Sequence, residues 1–429
     1  MEHSRRTFIR TSAAAAGAVG LSSMASGKPV APVKGSDEIR LGVVGAGGRG
    51  KGACVDSMSS SEGVRLVAIG ELTPELARGA RDTLKNTRVS SQVDVSDGNL
   101  YAGLDAYKKV IHHDDVNLVI LTTSPGFRPL HIAEAVRAGK HIFSEKPVCV
   151  DPAGYRSCIA SAAQARKQGT AIVTGTMYHR QPSYIEGVER IHRGDIGRVT
   201  GGLAYYCSTG IWYRPREAGM TDMQYQLKNW YHFVWLCGDQ IVEQAVHNID
   251  AINWIMGGPP VRAFGSGGQM TRPEDSEIYD HIDIDYEYPN GAMVSFKCRQ
   301  IPGATPRVIN TIVGTEGKAF VNPGEAHIVD TDGRETFRLK HGGMNPYVQE
   351  HKELIASIRS GKPLVELEKT ADSSLTAVMG RMAAYSGKEV TWDFVTRSQH
   401  RFMPDMGAIS FETPIKSPGV QIPGQFKLI

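Results

Sequence analysis

Leu41-Gly42-Val43-Val44-Gly45-Ala46-Gly47-Gly48-Arg49-Gly50 joins a short apolar run, beginning at Ile39, to a glycine-rich turn. An apolar strand that feeds such a turn opens a nucleotide-binding strand–helix–strand unit. Gly45 permits the tight turn, Gly47 lets the backbone approach a pyrophosphate, and Gly50 lets the next helix sit close to the strand. The helix then aims its free N–H groups at phosphate, so Gly45, Gly47, Gly48, Arg49 and Gly50 form the candidate phosphate loop. Glu71 ends the next apolar run, 26 positions after Gly45. Its carboxylate suits ribose hydroxyls and repels a 2′-phosphate, which favours NAD; Arg49 offsets this and leaves NADP possible.

Working along the chain, residues 117–122, 140–144 and 171–175 read as further buried strands. Between them lie helical patterns at 128–138, with Ile132, Ala135 and Val136 on one face, and at 151–167. Alternating strands and helices with near-continuous apolar strands predict a parallel, doubly wound sheet that ends near residue 177. The second half changes character. Strands are expected at 201–207, 261–270, 281–288, 292–298, 308–313 and 318–321, with a hairpin at Pro289-Asn290-Gly291. Ile282, Ile284, Tyr286 and Tyr288 alternate with His281, Asp283, Asp285 and Glu287, the pattern of a half-buried sheet. Helices are expected at 239–256, 346–360 and 370–387. The fold class is α/β: a doubly wound parallel sheet over 37–177, then an α/β domain with a mostly antiparallel open sheet over 178–429.

Residues 1–36 read as a signal and linker. Ser4-Arg5-Arg6-Thr7-Phe8-Ile9-Arg10 matches the twin-arginine pattern, an apolar run follows from Ala13 to Met24, and Ser23-Met24-Ala25 fits a cleavage site. The run is too short and too rich in small residues to span a bilayer stably. The expected location is therefore periplasmic or otherwise extracytoplasmic, with no stable membrane span in the mature form. Twin-arginine export carries folded protein, so a dinucleotide would travel with it and would have to be tightly held and regenerated within each turnover. The balanced formal charge of +3, without basic blocks, points away from nucleic acid. Six scattered cysteines without a CxxC pair argue against structural zinc and read as free thiols. His281, Asp283 and Asp285 read as a solvent-facing strand edge, and no metal is expected.

Thr122-Thr123-Ser124-Pro125, Ala138-Gly139-Lys140-His141, Glu145-Lys146-Pro147 and Gly194-Asp195-Ile196-Gly197, with the glycine loop, resemble the Gfo/Idh/MocA oxidoreductases. Glucose-fructose oxidoreductase and inositol dehydrogenase are members of that group. The resemblance implies an N-terminal Rossmann domain, an NAD(P) cofactor held in part by Thr122, Thr123, Glu145 and Lys146, a carbohydrate substrate, and homo-oligomer contacts through the C-terminal sheet. It also marks His247 as acid/base in a helix where Glu243 replaces the family's usual Asp, so the sugar's identity does not transfer. Glu243, His247 and Asp250, at i, i+4 and i+7, are expected on one polar helix face. A cation at Lys146 would steady a developing alkoxide while the imidazole takes the hydroxyl proton. Tyr178, His179 and Arg180 face substrate in this reading or pack as an ordinary loop. Trp212, Arg214 and Trp230 form a sugar-binding surface or a loop pinned by buried tryptophan. The leading function is an exported sugar, polyol or glycoside oxidoreductase. A redox-neutral NAD-requiring glycosidase is the alternative, and a non-catalytic sugar-binding protein comes third.

Overall fold

The computed structural model describes residues 38–340, 343–404 and 409–429. The twin-arginine motif and its linker lie outside the described residues. The described residues group as one compact unit.

The first sheet has six parallel strands: β1 (Ile39–Val44), β2 (Val64–Glu71), β3 (Leu100–Ala102), β4 (Leu118–Leu121), β5 (His141–Ser144) and β6 (Ile172–Thr174). Their spatial order is β3-β2-β1-β4-β5-β6. Winding reverses between β1 and β4, so loops leaving the two strands part there and open a crevice at the strands' carboxyl ends. Five of these strands follow the apolar runs. The edge strand β3 was not anticipated, because it spans three residues, all only partly buried, and shows no periodicity.

The second sheet contains β7 (Val199–Ser208), β8 (Arg262–Gly268), β9 (His281–Glu287), β10 (Met293–Gln300), β11 (Arg307–Gly314), β12 (Gly317–Asn322), β13 (Glu325–Asp330), β14 (Glu335–Lys340) and β15 (Val390–Thr391). Its order is β14-β13-β12-β11-β7-β10-β9-β8-β15, and only the β7–β10 pair is parallel. The β9–β10 hairpin turns at Gly291, whose φ of +79° favours glycine. Ile282, Ile284, Tyr286 and Tyr288 are buried as the alternation requires. Helices Val246–Met256 and Leu367–Ser386 bury Ile249, Ile252, Leu375, Val378 and Met382 in the same core.

The chain then returns to the first sheet. Helix Pro346–Arg359 places Leu354 and Ile355 in the core that contains Ile39, Leu41 and Phe143. The expected single helix over 239–256 is two pieces, Gln240–Glu243 and Val246–Met256. The break has a physical cause. The Glu243 carbonyl, which a continuous helix would give to the His247 N–H, accepts instead from Lys146 Nζ at 2.5 Å. The Gln244 side chain meanwhile donates to the Tyr206 hydroxyl at 2.6 Å.

Candidate functional site

The glycine turn lies at the carboxyl end of β1. Gly45 has a φ of +85°, and a Cβ there would meet the Thr123 nitrogen at 2.9 Å. A Cβ on Gly50 would stand 2.1 Å from the Gly45 carbonyl, so helix Gly48–Ser60 can approach the strand only because that side chain is hydrogen. Gly47 and Gly48 face open space. Gly47 caps the helix with no side-chain bond, which leaves its first N–H groups directed at the crevice. This bare cradle fits a pyrophosphate. Thr122 braces the turn from β4, its hydroxyl donating to the Gly45 carbonyl at 2.5 Å, and Thr123 Oγ1 lies 3.2 Å from His131 Nδ1.

Gly45, Gly47, Glu71, Thr122 and Thr123 line one cavity of about 190 Å³. Leu227 and Trp230, from the segment between β7 and Gln240, also line it. Burial pushes the Glu71 carboxyl above its ordinary range, and its Oε2 accepts from the Leu72 N–H at 2.9 Å. A larger groove of about 790 Å³ lies between residues 58–65 and 91–94. It sits at the amino end of β2, the edge opposite the crevice where such sheets bind ligands.

Arg49 does not serve as a counter-charge near Glu71. Its guanidinium is bonded to Glu145, to Asp56 at 3.1 Å and to Glu350 at 3.5 Å, and it lies 4.8 Å over the Tyr347 ring. Glu145 is therefore engaged by Arg49. The argument that Arg49 would admit NADP loses its basis, because three carboxylates hold that cation elsewhere.

Lys146 follows β5 and is buried, its Nζ on the Glu243 carbonyl and 3.7 Å from the Glu243 carboxylate. Buried Arg128 donates to the Pro147 carbonyl at 2.7 Å and fixes the turn from below. His247 opens helix Val246–Met256, half-buried, with its ring 5.1 Å from Tyr178 and 6.5 Å from Tyr206. No hydrogen bond to its ring nitrogens is found among the described residues. Burial, then the charges of Lys146 and Arg49, hold its pKa well below the ordinary imidazole value. The imidazole is thus neutral at pH 7, and it lies within electrostatic reach of Lys146.

Asp250 is buried and already bonded. It accepts from Ser373 at 2.7 Å and pairs with His179 at 2.8 Å, while His179 stacks on Trp254. Arg180 is buried against Glu353 and Glu366 and binds structure together. Tyr178 lies beside His247 and stacks on Tyr184 at 4.2 Å. Trp212 is exposed beneath the Arg214 guanidinium, and the Arg214 backbone is pinned by Asn229, so this stretch lies at the rim. Trp230 lies on the nucleotide cavity. Sequence reasoning missed Tyr206, Gln244, Arg128 and Leu227, none of which belongs to a motif. Tyr206, on the β7 strand that leads from Gly194-Asp195-Ile196-Gly197, was the most findable.

All six cysteines, at 54, 149, 158, 207, 237 and 298, are free and buried. Among the described residues no cluster of three or more His, Cys, Asp or Glu is placed to hold a metal, and no helix is long and apolar enough to cross a membrane.

A parallel sheet with this loop, joined to a second, mostly antiparallel sheet and tied to it by the Lys146–Glu243 bond, is the build of a dinucleotide-dependent oxidoreductase. Comparison with known proteins agrees. A model described as an oxidoreductase family NAD-binding Rossmann fold matches residues 39–173, and the GFO/IDH/MocA C-terminal domain matches residues 186–320. The chain belongs to the Gfo/Idh/MocA oxidoreductase family and carries its NAD-binding domain. The scyllo-inositol 2-dehydrogenase (NAD(+)) of Bacillus subtilis (strain 168) is 23% identical over 289 residues, 66% of this chain and 74% of the relative. Glycosyl hydrolase family 109 protein 2 of Shewanella sp. (strain ANA-3) is 30% identical over 158 residues, 34% of this chain and 33% of its own. Levoglucosan dehydrogenase, solved with NADH and levoglucosan, shares the fold at a TM-score of 0.66 and 17% identity, covering 82% of this chain and 99% of its own.

Proposed function

We propose that this protein oxidises a secondary hydroxyl of a sugar, polyol or glycoside, with Lys146 and His247 handling the proton. The observation that carries the reading is their convergence: Lys146 leaves β5 of the first sheet and makes its bond to Glu243, four residues before His247 in the second half. NAD, bound along the glycine loop and Glu71, supplies the hydride acceptor. The His247 ring, neutral and without a hydrogen-bond partner among the described residues, takes the hydroxyl proton. The Lys146 ammonium, held by the Glu243 carbonyl, orients the substrate oxygen and stabilises its negative charge as the carbon gives up hydride. Tyr178, buried on Tyr184, and half-buried Tyr206 pack beside the imidazole and fix its position.

The twin-arginine motif supports export to the periplasm or beyond, with the nucleotide loaded beforehand. A second carbonyl compound would then return the hydride in place. An outward row of Phe264, Asp285, Ser295, Leu203 and Thr311, in register across the second sheet, exposes Phe264 and Leu203 on either side of one charge and supports self-association through that face. The inositol and levoglucosan dehydrogenases favour a polyhydroxylated substrate. The glycosyl hydrolase relative favours a second reading, transient oxidation followed by elimination of a leaving group.

One assay separates the two. The purified full chain is offered free sugars, polyols and aryl glycosides while the reduced-nicotinamide absorbance and aglycone release are followed together. Lasting reduction with a free sugar or polyol supports the dehydrogenase. Aglycone release without net reduction overturns it in favour of the glycosidase.

A further inference from the structure

We infer that helix Asp222–Lys228 and Trp230 form a cover over the adenosine half of the nucleotide site, buttressed by the C-terminal tail, and make NAD a resident group. The inference rests on the NAD-dependent reading above and adds to it the residues that retain the cofactor.

The cavity that contains Glu71, at the ribose end, is lined by Leu72 and Leu104 of the first half. Leu227 and Trp230, from the segment between β7 and Gln240, line it as well. An adenosine placed against Glu71 would therefore contact both parts of the chain. The cover is firmly built. Thr221 caps the helix reciprocally with Gln224, so the short helix is fixed at its start. Its apolar residues Met223, Tyr225 and Leu227 share one buried cluster with Phe127 of the first half and with Phe233 and Trp235. Leu72 and Leu104 pack against the same cluster, so the cavity wall and the cover form one apolar body.

The tail locks this body from outside. Thr221 Oγ1 donates to the Phe411 carbonyl at 2.5 Å, and Gln226 Nε2 donates to the Ile415 carbonyl at 2.8 Å. Gln226 Oε1 accepts from the buried Trp235 indole at 2.6 Å. Phe402, Phe411 and Ile415 add side chains to the cluster, and the Phe402 N–H donates to Asp151 at the head of helix Pro152–Gln168. The tail thus ties the cover to the first half. Release of a bound nucleotide requires Leu227 and Trp230 to withdraw, which means breaking the cluster and the tail's bonds together. That cost falls on dissociation, so the effect is read in the off-rate.

The test uses the full chain purified without added nucleotide. Repeated gel filtration should leave about one NAD or NADH per chain, and exchange with labelled free NAD should be slow. Leu227→Ala, within the cavity wall, and Phe411→Ala, outside it, should each release nucleotide ~10-fold faster or more. Melting curves confirm that each variant is folded, and the exchange rate of the unaltered chain decides the matter if Leu227→Ala fails to fold. A protein that binds NAD but exchanges it within seconds overturns the cover and leaves the proposed function standing. Exchange rates unchanged in both folded variants overturn it as well. A protein that binds no nicotinamide nucleotide under any condition overturns both readings.

Discussion

His247 owes its proposed role to its neighbours. Half-buried and within the field of Lys146 and Arg49, it stays neutral where an ordinary imidazole near pH 6.5 would begin to charge. The acid limb of kcat/KM for oxidation, taken on the NAD-loaded enzyme, should therefore lie clearly below pH 6.5. A limb at or above that value would show that the base is another group. Lys146→Ala and His247→Ala should each lower kcat/KM by ~100-fold or more, the usual value of a positioned proton-transfer group. Glu243→Gln should cost no more than ~10-fold, because Lys146 is held chiefly by the backbone carbonyl that this change keeps. Steady-state kinetics on the three variants checks the order. The Glu145-Lys146-Pro147 run could be recognised from sequence because its place after a strand end is local. The pairing of Asp250 with His179 and Ser373 could not, since those partners come from distant segments.

The glycine loop divides its labour between helix packing and ligand approach, and the two separate by substitution. Gly50→Ala places a Cβ 2.1 Å from the Gly45 carbonyl and should lower the melting temperature as the helix is forced off the strand. Gly47→Ala meets nothing within 4 Å, at ordinary backbone angles, and should melt with the parent while binding NAD more weakly. Equal melting losses in the two would refute this division. Five of the six parallel strands were readable because each is a dense apolar run, and the β9–β10 hairpin because Pro289-Asn290-Gly291 punctuates an alternating pair. Strands β13 and β14 were not, since Glu-Ala-His-Ile-Val-Asp and Glu-Thr-Phe-Arg-Leu-Lys mix charge into both faces. The helix break at Gln244-Ala245 was hidden for a related reason. The competitor for the Glu243 carbonyl is a lysine 97 positions away.

Three buried histidines stay neutral at pH 7. Burial lowers His131 and His351 to about 3 and His141 to about 4. These groups are charged in the unfolded chain below about pH 6.5. Between those values the unfolded state binds the protons, so stability falls as pH falls, by up to ~1.4 kcal/mol per pH unit for each histidine. Buried Glu350 is pushed up and acts in the opposite sense, losing stability as pH rises. A melting series from pH 7 to 4 should show the acid loss, with a shallower slope in His351→Phe; identical slopes would contradict the assignment. Helix Pro346–Arg359, which carries Glu350 and His351, returns from the second half to pack on the first, and it joins the two halves around Arg49 and Glu145. In the proposed function the whole arrangement serves one event, the passage of a hydride and a proton out of one carbinol beside Lys146 and His247. Its most direct test is single-turnover reduction of NAD by a panel of sugars and polyols, using chains shown to hold nucleotide. The unaltered chain should reduce its NAD with at least one of them, while Lys146→Ala and His247→Ala, equally loaded, should react ~100-fold more slowly or not at all. Loaded variants that reduce NAD as fast as the parent would contradict the account.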